Sequence, residues 1–137
     1  MIRERFEWSV RVYYEDTDAA GIVYHASYLR FMERARTEWL RSLGFEQNVL
    51  VENLGVLFVV SRIDVKYFRA ARLNEDLKVI TQLVRLRGAS MMFEQFIEDP
   101  ATKPICSGHV SVACVHSTLL KPCRIPAEMR RVFQGGS

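Results

Sequence analysis

The sequence predicts an α+β domain in which a five-stranded antiparallel sheet wraps around one long central helix. Three observations lead there. The chain has 137 residues, the size of a single domain, and residues 1–137 contain no internal repeat, low-complexity segment or interdomain linker. Apolar residues alternate with a period of two in one run before, and four runs after, a single stretch of helical period. A sheet made of those runs must bury one face, and only that helix is long enough to cover it.

The elements follow in order. From Phe6 to Tyr14, the residues Trp8, Val10, Val12 and Tyr14 alternate with Ser9, Arg11 and Tyr13, the pattern of a half-buried strand. From Ser27 the period lengthens: Tyr28, Phe31, Met32, Ala35, Trp39 and Leu43 form one apolar stripe of a helix of about four turns. Ser27 is the expected N-cap, and Gly44 suits the left-handed residue that closes a helix. Asn48, Asn53 and Gly55 mark a connector with a short helical piece around Val49 to Glu52. The strand from Leu57 to Phe68 is expected to place Leu57, Val59, Ile63, Val65 and Tyr67 on one face. Strands over Leu77 to Leu86, Met91 to Glu98 and Pro104 to Val115 follow, separated at Gly88-Ala89 and Asp99-Pro100, and these last four strands are expected to form a meander. Pro122 and Pro126 break the tail before a short helix from Ala127 to Phe133, and Gly135-Gly136-Ser137 should fray. The run from Leu77 to Leu86 is apolar on both sides, which predicts pairing with another subunit.

Composition excludes several classes. Hydrophobic residues make up 49% and charged residues 26%, which is the balance of a folded globular chain. A net charge of +3, with no basic run longer than the pair Arg130-Arg131, helps attract an anionic ligand but leaves no nucleic-acid footprint. No apolar stretch approaches the roughly 20 residues of a membrane span, and residues 1–5 lead into no signal core, so a cytoplasmic location is expected. Cys106, Cys114 and Cys123 are odd in number and lack a C-x-x-C spacing, which fits free thiols in a reducing compartment.

The chemistry concentrates between the first strand and the helix. Tyr14-Glu15-Asp16-Thr17-Asp18-Ala19-Ala20-Gly21-Ile22-Val23-Tyr24-His25-Ala26-Ser27-Tyr28 holds three carboxylates, a glycine and one of three histidines. The carboxylates sit beside a helix start, whose first N–H groups have no intrahelical partner, so a site is expected here. Asp18 can also be read as a turn residue, and Asp16 and Glu15 as structural. A D-x-D pair can hold a metal, but no further ligand cluster completes one, so neither metal nor cofactor is expected.

This stretch, followed by Phe31-Met32-Glu33-Arg34-Ala35-Arg36-Thr37-Glu38, resembles the start of the hot-dog-fold acyl-CoA thioesterases related to 4-hydroxybenzoyl-CoA thioesterase. Within that family it is most similar to the YbgC type, associated with the Tol-Pal system of Gram-negative bacteria. The likeness extends through Val65-Lys66-Tyr67-Phe68-Arg69-Ala70-Ala71-Arg72 and Arg87-Gly88-Ala89-Ser90. It implies hydrolysis of acyl-CoA, or of acyl-carrier-protein thioesters, by a homodimer or homotetramer whose subunits share a continuous sheet. It implies Asp18 as general base or nucleophile and His25 beside the thioester, with a helix-entrance backbone N–H polarising the carbonyl. Gly21, Tyr24 and Tyr28 are the expected substrate-binding residues around them, Val59 is a candidate wall of the acyl pocket, and Arg85, Arg87 and Ser90 are candidate contacts to the CoA phosphates. The alternative from another class is a noncatalytic module that binds acyl thioesters or acyl carrier protein. A hot-dog hydratase would need differently placed Asp and His residues, which the sequence does not offer.

Overall fold

The computed structural model describes residues 4–135, so the expected fraying of residues 136–137 lies outside the described residues. Its elements are β1 (Phe6–Arg11), α1 (Ser27–Ser42), α2 (Gln47–Val49) running into a π-helical turn at Leu50–Leu54, β2 (Val56–Tyr67), β3 (Asp76–Leu86), β4 (Ser90–Glu98), β5 (Pro104–His116) and α3 (Ala127–Phe133). The five strands form one sheet in the order β1-β3-β4-β5-β2, with every neighbouring pair antiparallel. Helix α1 lies on its inner face. No helix among the described residues is long and apolar enough to cross a membrane.

The helical stripe packs as its period demands: Phe31, Met32 and Ala35 are fully buried, and Tyr28 and Trp39 nearly so. Gly108 of β5 faces Met32, and a Cβ there would lie 3.3 Å from Met32 Cε and 3.2 Å from the Asp64 carbonyl oxygen, so a bare backbone lets helix and sheet approach. At the other end of α1, Trp39 meets Phe93 edge to face at a centroid distance of 5.1 Å and packs at a tilt on Phe133 at 5.2 Å, so α3 closes the core with Phe133 and Met129. Gly44 (φ +94°) ends the helix as expected. Its N–H donates to the Arg41 carbonyl and that of Phe45 to the Leu40 carbonyl, the paired bonds of a Schellman turn.

Several expectations are corrected. The last four strands are not a single meander: β3, β4 and β5 are, but β2 pairs with β5 at the sheet edge. The eight-residue link 68–75 crosses past the start of α1, where Ala71 exchanges hydrogen bonds with Val23 and Tyr28 and Arg72 pairs with Ile22, and delivers β3 between β1 and β4. The first strand stops at Arg11; the Asp16 carboxylate accepts the Tyr13 N–H and turns the chain, leaving Tyr14 exposed in a short 3₁₀ turn. Ser27 is not the N-cap, which is Ala26; the buried Ser27 hydroxyl donates to the Asp16 carbonyl and accepts from Arg30.

The face assignment of β2 also changes. A bulge at Ser61, between Val60 and Arg62, breaks the alternation, so Phe58 and Val60 share the inner face with Ile63, Val65 and Tyr67, while Leu57 and Val59 have the opposite parity, Val59 still reaching the groove at the sheet edge. The two-sided apolarity of β3 has an intramolecular cause. As an interior strand it has its outer-facing Ile80 only 2% exposed between β1 and β4, while the outer-facing Val84 stays partly exposed.

Candidate active site

The Tyr14–Tyr28 stretch forms a compact lobe at the N-terminus of α1. Its frame is Asp16, whose buried carboxylate accepts the Tyr13 N–H (2.8 Å) and faces Arg30 Nη2 (3.5 Å), and whose carbonyl accepts from Tyr24 N–H (2.9 Å) and Ser27 Oγ (3.2 Å). Asp16 is therefore structural. Asp18 opens the tight turn that follows: its carbonyl accepts the Gly21 N–H (3.0 Å) and its Oδ1 accepts the Ala20 N–H (2.9 Å). The side chain is exposed, and among the described residues nothing bonds Oδ2. Gly21 has φ +78°, and a Cβ there would meet nothing within 4 Å; in this chain it is the left-handed backbone that calls for glycine.

His25 and Asp18 line different clefts of this lobe. Asp18 lines a cleft with Tyr14, Thr17, Ala19, Gly21 and Leu73. His25 lines another with Tyr28, Tyr67, Phe68 and Arg69 among its walls. The imidazole is held among rings, 4.5 Å from Tyr24 and 6.5 Å from Tyr67 between centroids, and the Tyr67 hydroxyl donates to the His25 carbonyl (2.9 Å). Tyr24 is exposed, whereas Tyr28 is buried and accepts the Ala71 N–H on its phenol oxygen (3.0 Å). Burial raises the phenol pKa of both Tyr28 and Tyr67, so both stay protonated well into alkaline pH. Arg69 pairs with Asp99 (2.5 Å) and Glu75 (3.5 Å). At the helix entrance the Val23, Tyr24 and Ser27 N–H groups are taken by the Ala71, Asp16 and Tyr24 carbonyls, and among the described residues those of His25 and Ala26 have no acceptor.

Val59 lines a separate groove of about 270 Å³ between α1 and the edge strand β2, with Phe58, Val60, Met91, Phe93 and Val112 as apolar walls and Glu33, Arg36 and Thr37 along the helix. Arg85, Arg87 and Ser90 are not brought to Asp18 within the chain. Ser90 pairs with Ala113 of β5, and Tyr67, next to His25, pairs with Cys106. Those β5 positions lie about 23 Å apart at roughly 3.3 Å per residue.

Sequence reasoning missed two features. Tyr67 carries the His25 backbone, and its signal was the aromatic pair Tyr67-Phe68 ending a strand. Arg36 is 9% exposed, and its Nη1 donates to Gln95 Oε1 (2.9 Å). Gln95 in turn donates to the Met32 carbonyl (3.0 Å) and Thr81 Oγ1 (2.8 Å). Burial lowers the Arg36 pKa, which Glu33 partly offsets. Among the described residues no cluster of three or more His, Cys, Asp or Glu is placed to hold a metal.

Comparison with known proteins places this geometry. A family model described as the thioesterase-like superfamily matches residues 12–133. The chain is 44% identical over 133 residues to the acyl-CoA thioesterase YbgC of Haemophilus influenzae, covering 97% of each chain. It is 43% identical over 129 residues to the acyl-CoA thioester hydrolase YbgC of Escherichia coli O157:H7, covering 94% of this chain and 96% of that one. The crystal structure of a probable thioesterase from Bartonella henselae matches with a TM-score of 0.85 at 34% identity, covering 90% of this chain and 100% of that one. The order of strands around one central helix and the near full-length match agree: the chain belongs to the thioesterase-like hot-dog superfamily, within its YbgC group of thioester hydrolases.

Proposed function

We propose that the protein hydrolyses acyl-CoA to a free acid and CoA at the N-terminal end of α1, with Asp18 as the reacting carboxylate. The observation that carries this is an exposed Asp18 fixed through Oδ1 by its own turn, in the same lobe at the start of α1 as the His25 and Ala26 N–H groups, where among the described residues neither Oδ2 nor those N–H groups have a partner. As general base, Asp18 takes a proton from water as the water oxygen bonds to the acyl carbon; as nucleophile, it bonds to that carbon itself and water later cleaves the anhydride. Either way the C–S bond breaks and CoA leaves as its thiol. The helix-entrance donors stabilise the oxyanion, and one such donor is worth about 100-fold or more in rate. His25, ringed by Tyr24 and Tyr67, positions the thioester, and Val59 walls the groove that takes the acyl chain.

The working unit is a homodimer or homotetramer in the cytoplasm. Support comes from β2, a twelve-residue strand whose outer edge has no partner among the described residues. Such an edge invites pairing with a second copy, which would extend the sheet. The second copy supplies Arg85, Arg87 and Ser90 to the CoA phosphates, since those residues lie far from Asp18 within one chain.

Thiol release from a panel of acyl-CoAs and acyl-carrier-protein thioesters, followed with a chromogenic disulfide, tests this. Asp18→Asn keeps the turn's acceptor and removes the base or nucleophile, so kcat falls by about 100-fold or more. A folded Asp18→Asn protein turning over at the parent rate refutes the assignment. A parent that binds the panel and releases no thiol is a binding module instead.

A further inference from the structure

Exposed Arg11, Arg41 and Arg62 have carboxylates within reach, as do Arg30 and Arg69. Arg36 is the only basic residue counted as buried among the described residues, and no carboxylate oxygen there lies within 4 Å of it. A guanidinium withdrawn from water without a counter-charge costs several kcal/mol, so buried arginines normally sit on carboxylates.

The surroundings indicate what is missing. Gln95 holds one guanidinium nitrogen and is itself pinned by Thr81 and the Met32 carbonyl, so the Arg36 head is fixed in place. The only fully buried, unpaired side-chain nitrogen or oxygen among the described residues is Gln82 Nε2, so the remaining Arg36 nitrogens still reach open space. That space is the groove, whose other inner walls are Leu40, Phe58, Met91, Phe93 and Val112, with the exposed Glu33 at its rim. A planar, always charged fork inside an apolar groove matches a carboxylate presented at the end of an alkyl chain.

We propose that Arg36 is a specificity-determining residue that receives a terminal carboxylate on the acyl chain, so that the preferred substrates are CoA monothioesters of dicarboxylic acids. This rests on the groove being the acyl site of the proposed thioesterase. The apolar walls hold the methylenes, and Arg36 supplies a cation that no carboxylate among the described residues contacts directly, the nearby Glu33 acting on it only through space.

The test compares dicarboxylic acid mono-CoA thioesters of graded length with their terminal methyl esters, which keep the shape and lose the charge. At the best length the parent favours the acid in kcat/KM by about 10-fold or more, the range of one charge-assisted hydrogen-bonded pair. Arg36→Met brings that ratio down to about one. An acid-to-ester ratio of one or below in the parent at every length, or a preference that survives in a folded Arg36→Met protein, overturns the proposal. The same pairs made as non-hydrolysable thioethers and titrated by calorimetry decide the matter without turnover. If the parent binds the acid no tighter than the ester, the inference fails even where plain acyl-CoAs are hydrolysed. If it binds the acid tighter and cleaves nothing, the inference stands and the thioesterase reading falls.

Discussion

Gln95→Leu is the most informative perturbation of the fold. Gln95 stands on the inner face of β4, between Phe93 and Ile97, and fastens α1 to the sheet through Arg36, the Met32 carbonyl and Thr81. Leucine fits the space and removes all three bonds. The bond to the guanidinium is charge-assisted, and losing it costs about 1.5–3 kcal/mol. The Thr81 hydroxyl is fully buried and loses a neutral bond worth about 1 kcal/mol. The Met32 carbonyl loses least, because an α-helical carbonyl keeps its own ladder bond. Added apolar burial returns part of this, leaving a net loss of about 3 kcal/mol, or roughly 10 °C in Tm for a domain of this size. Urea titration is the assay, with a lower midpoint and an unchanged slope expected. Pairing the change with Arg36→Met should recover at least about 1 kcal/mol, since removing both members of a buried polar pair costs less than stranding one. A single variant within about 0.5 kcal/mol of the parent, or a double variant worse than the sum of the singles, refutes the network.

Three further expectations follow from single positions. Gly44→Ala must hold a side chain at φ +94° and should cost about 1 kcal/mol in urea titration, with activity unchanged. Tyr67→Phe removes the donor to the His25 carbonyl while keeping the ring, and should cost about 1 kcal/mol of stability and raise KM for acyl-CoA, whereas a purely structural role would leave KM alone. The Cys106 thiol, with no exposed surface, is pushed up to about 12 from 9.0 by burial, so the folded state keeps a proton that the unfolded chain releases. Stability is then full below pH 9 and declines as pH rises toward 12, by at most about 4 kcal/mol, with Tyr28 and Tyr67 acting in the same direction. Cys106→Ala should flatten that alkaline decline.

Local signals carried most of the fold. The stripe from Tyr28 to Trp39 and the glycine at 44 define α1 because helical period and left-handed closure are written in neighbouring residues. Strand order was not legible, because the pairs β1 with β3 and β2 with β5 join segments far apart in the chain, and nothing local distinguishes them from a meander. The face of β2 was misread for a smaller reason. One extra residue, Ser61, inverts the alternation between Val60 and Arg62, and serine is an ordinary strand residue that does not announce a bulge.

The candidate site divides along the same line. Asp18, Gly21 and His25 stand out in the sequence as candidates because a helix entrance, a turn aspartate and a left-handed glycine are contiguous. Arg36 does not, although its signal is present: it lies four residues after Met32 and three before Trp39, inside the buried stripe, where a charge should not stand unsupported. Gln95 carries the matching signal, since it falls on the inward parity of β4 with Met91, Phe93 and Ile97. Each residue alone looks like an error in an apolar pattern. Two polar side chains at inward positions of a helix and of the strand beneath it explain each other, and what they leave unpaired, the outer nitrogens of one guanidinium, points into the groove where an acyl chain would lie.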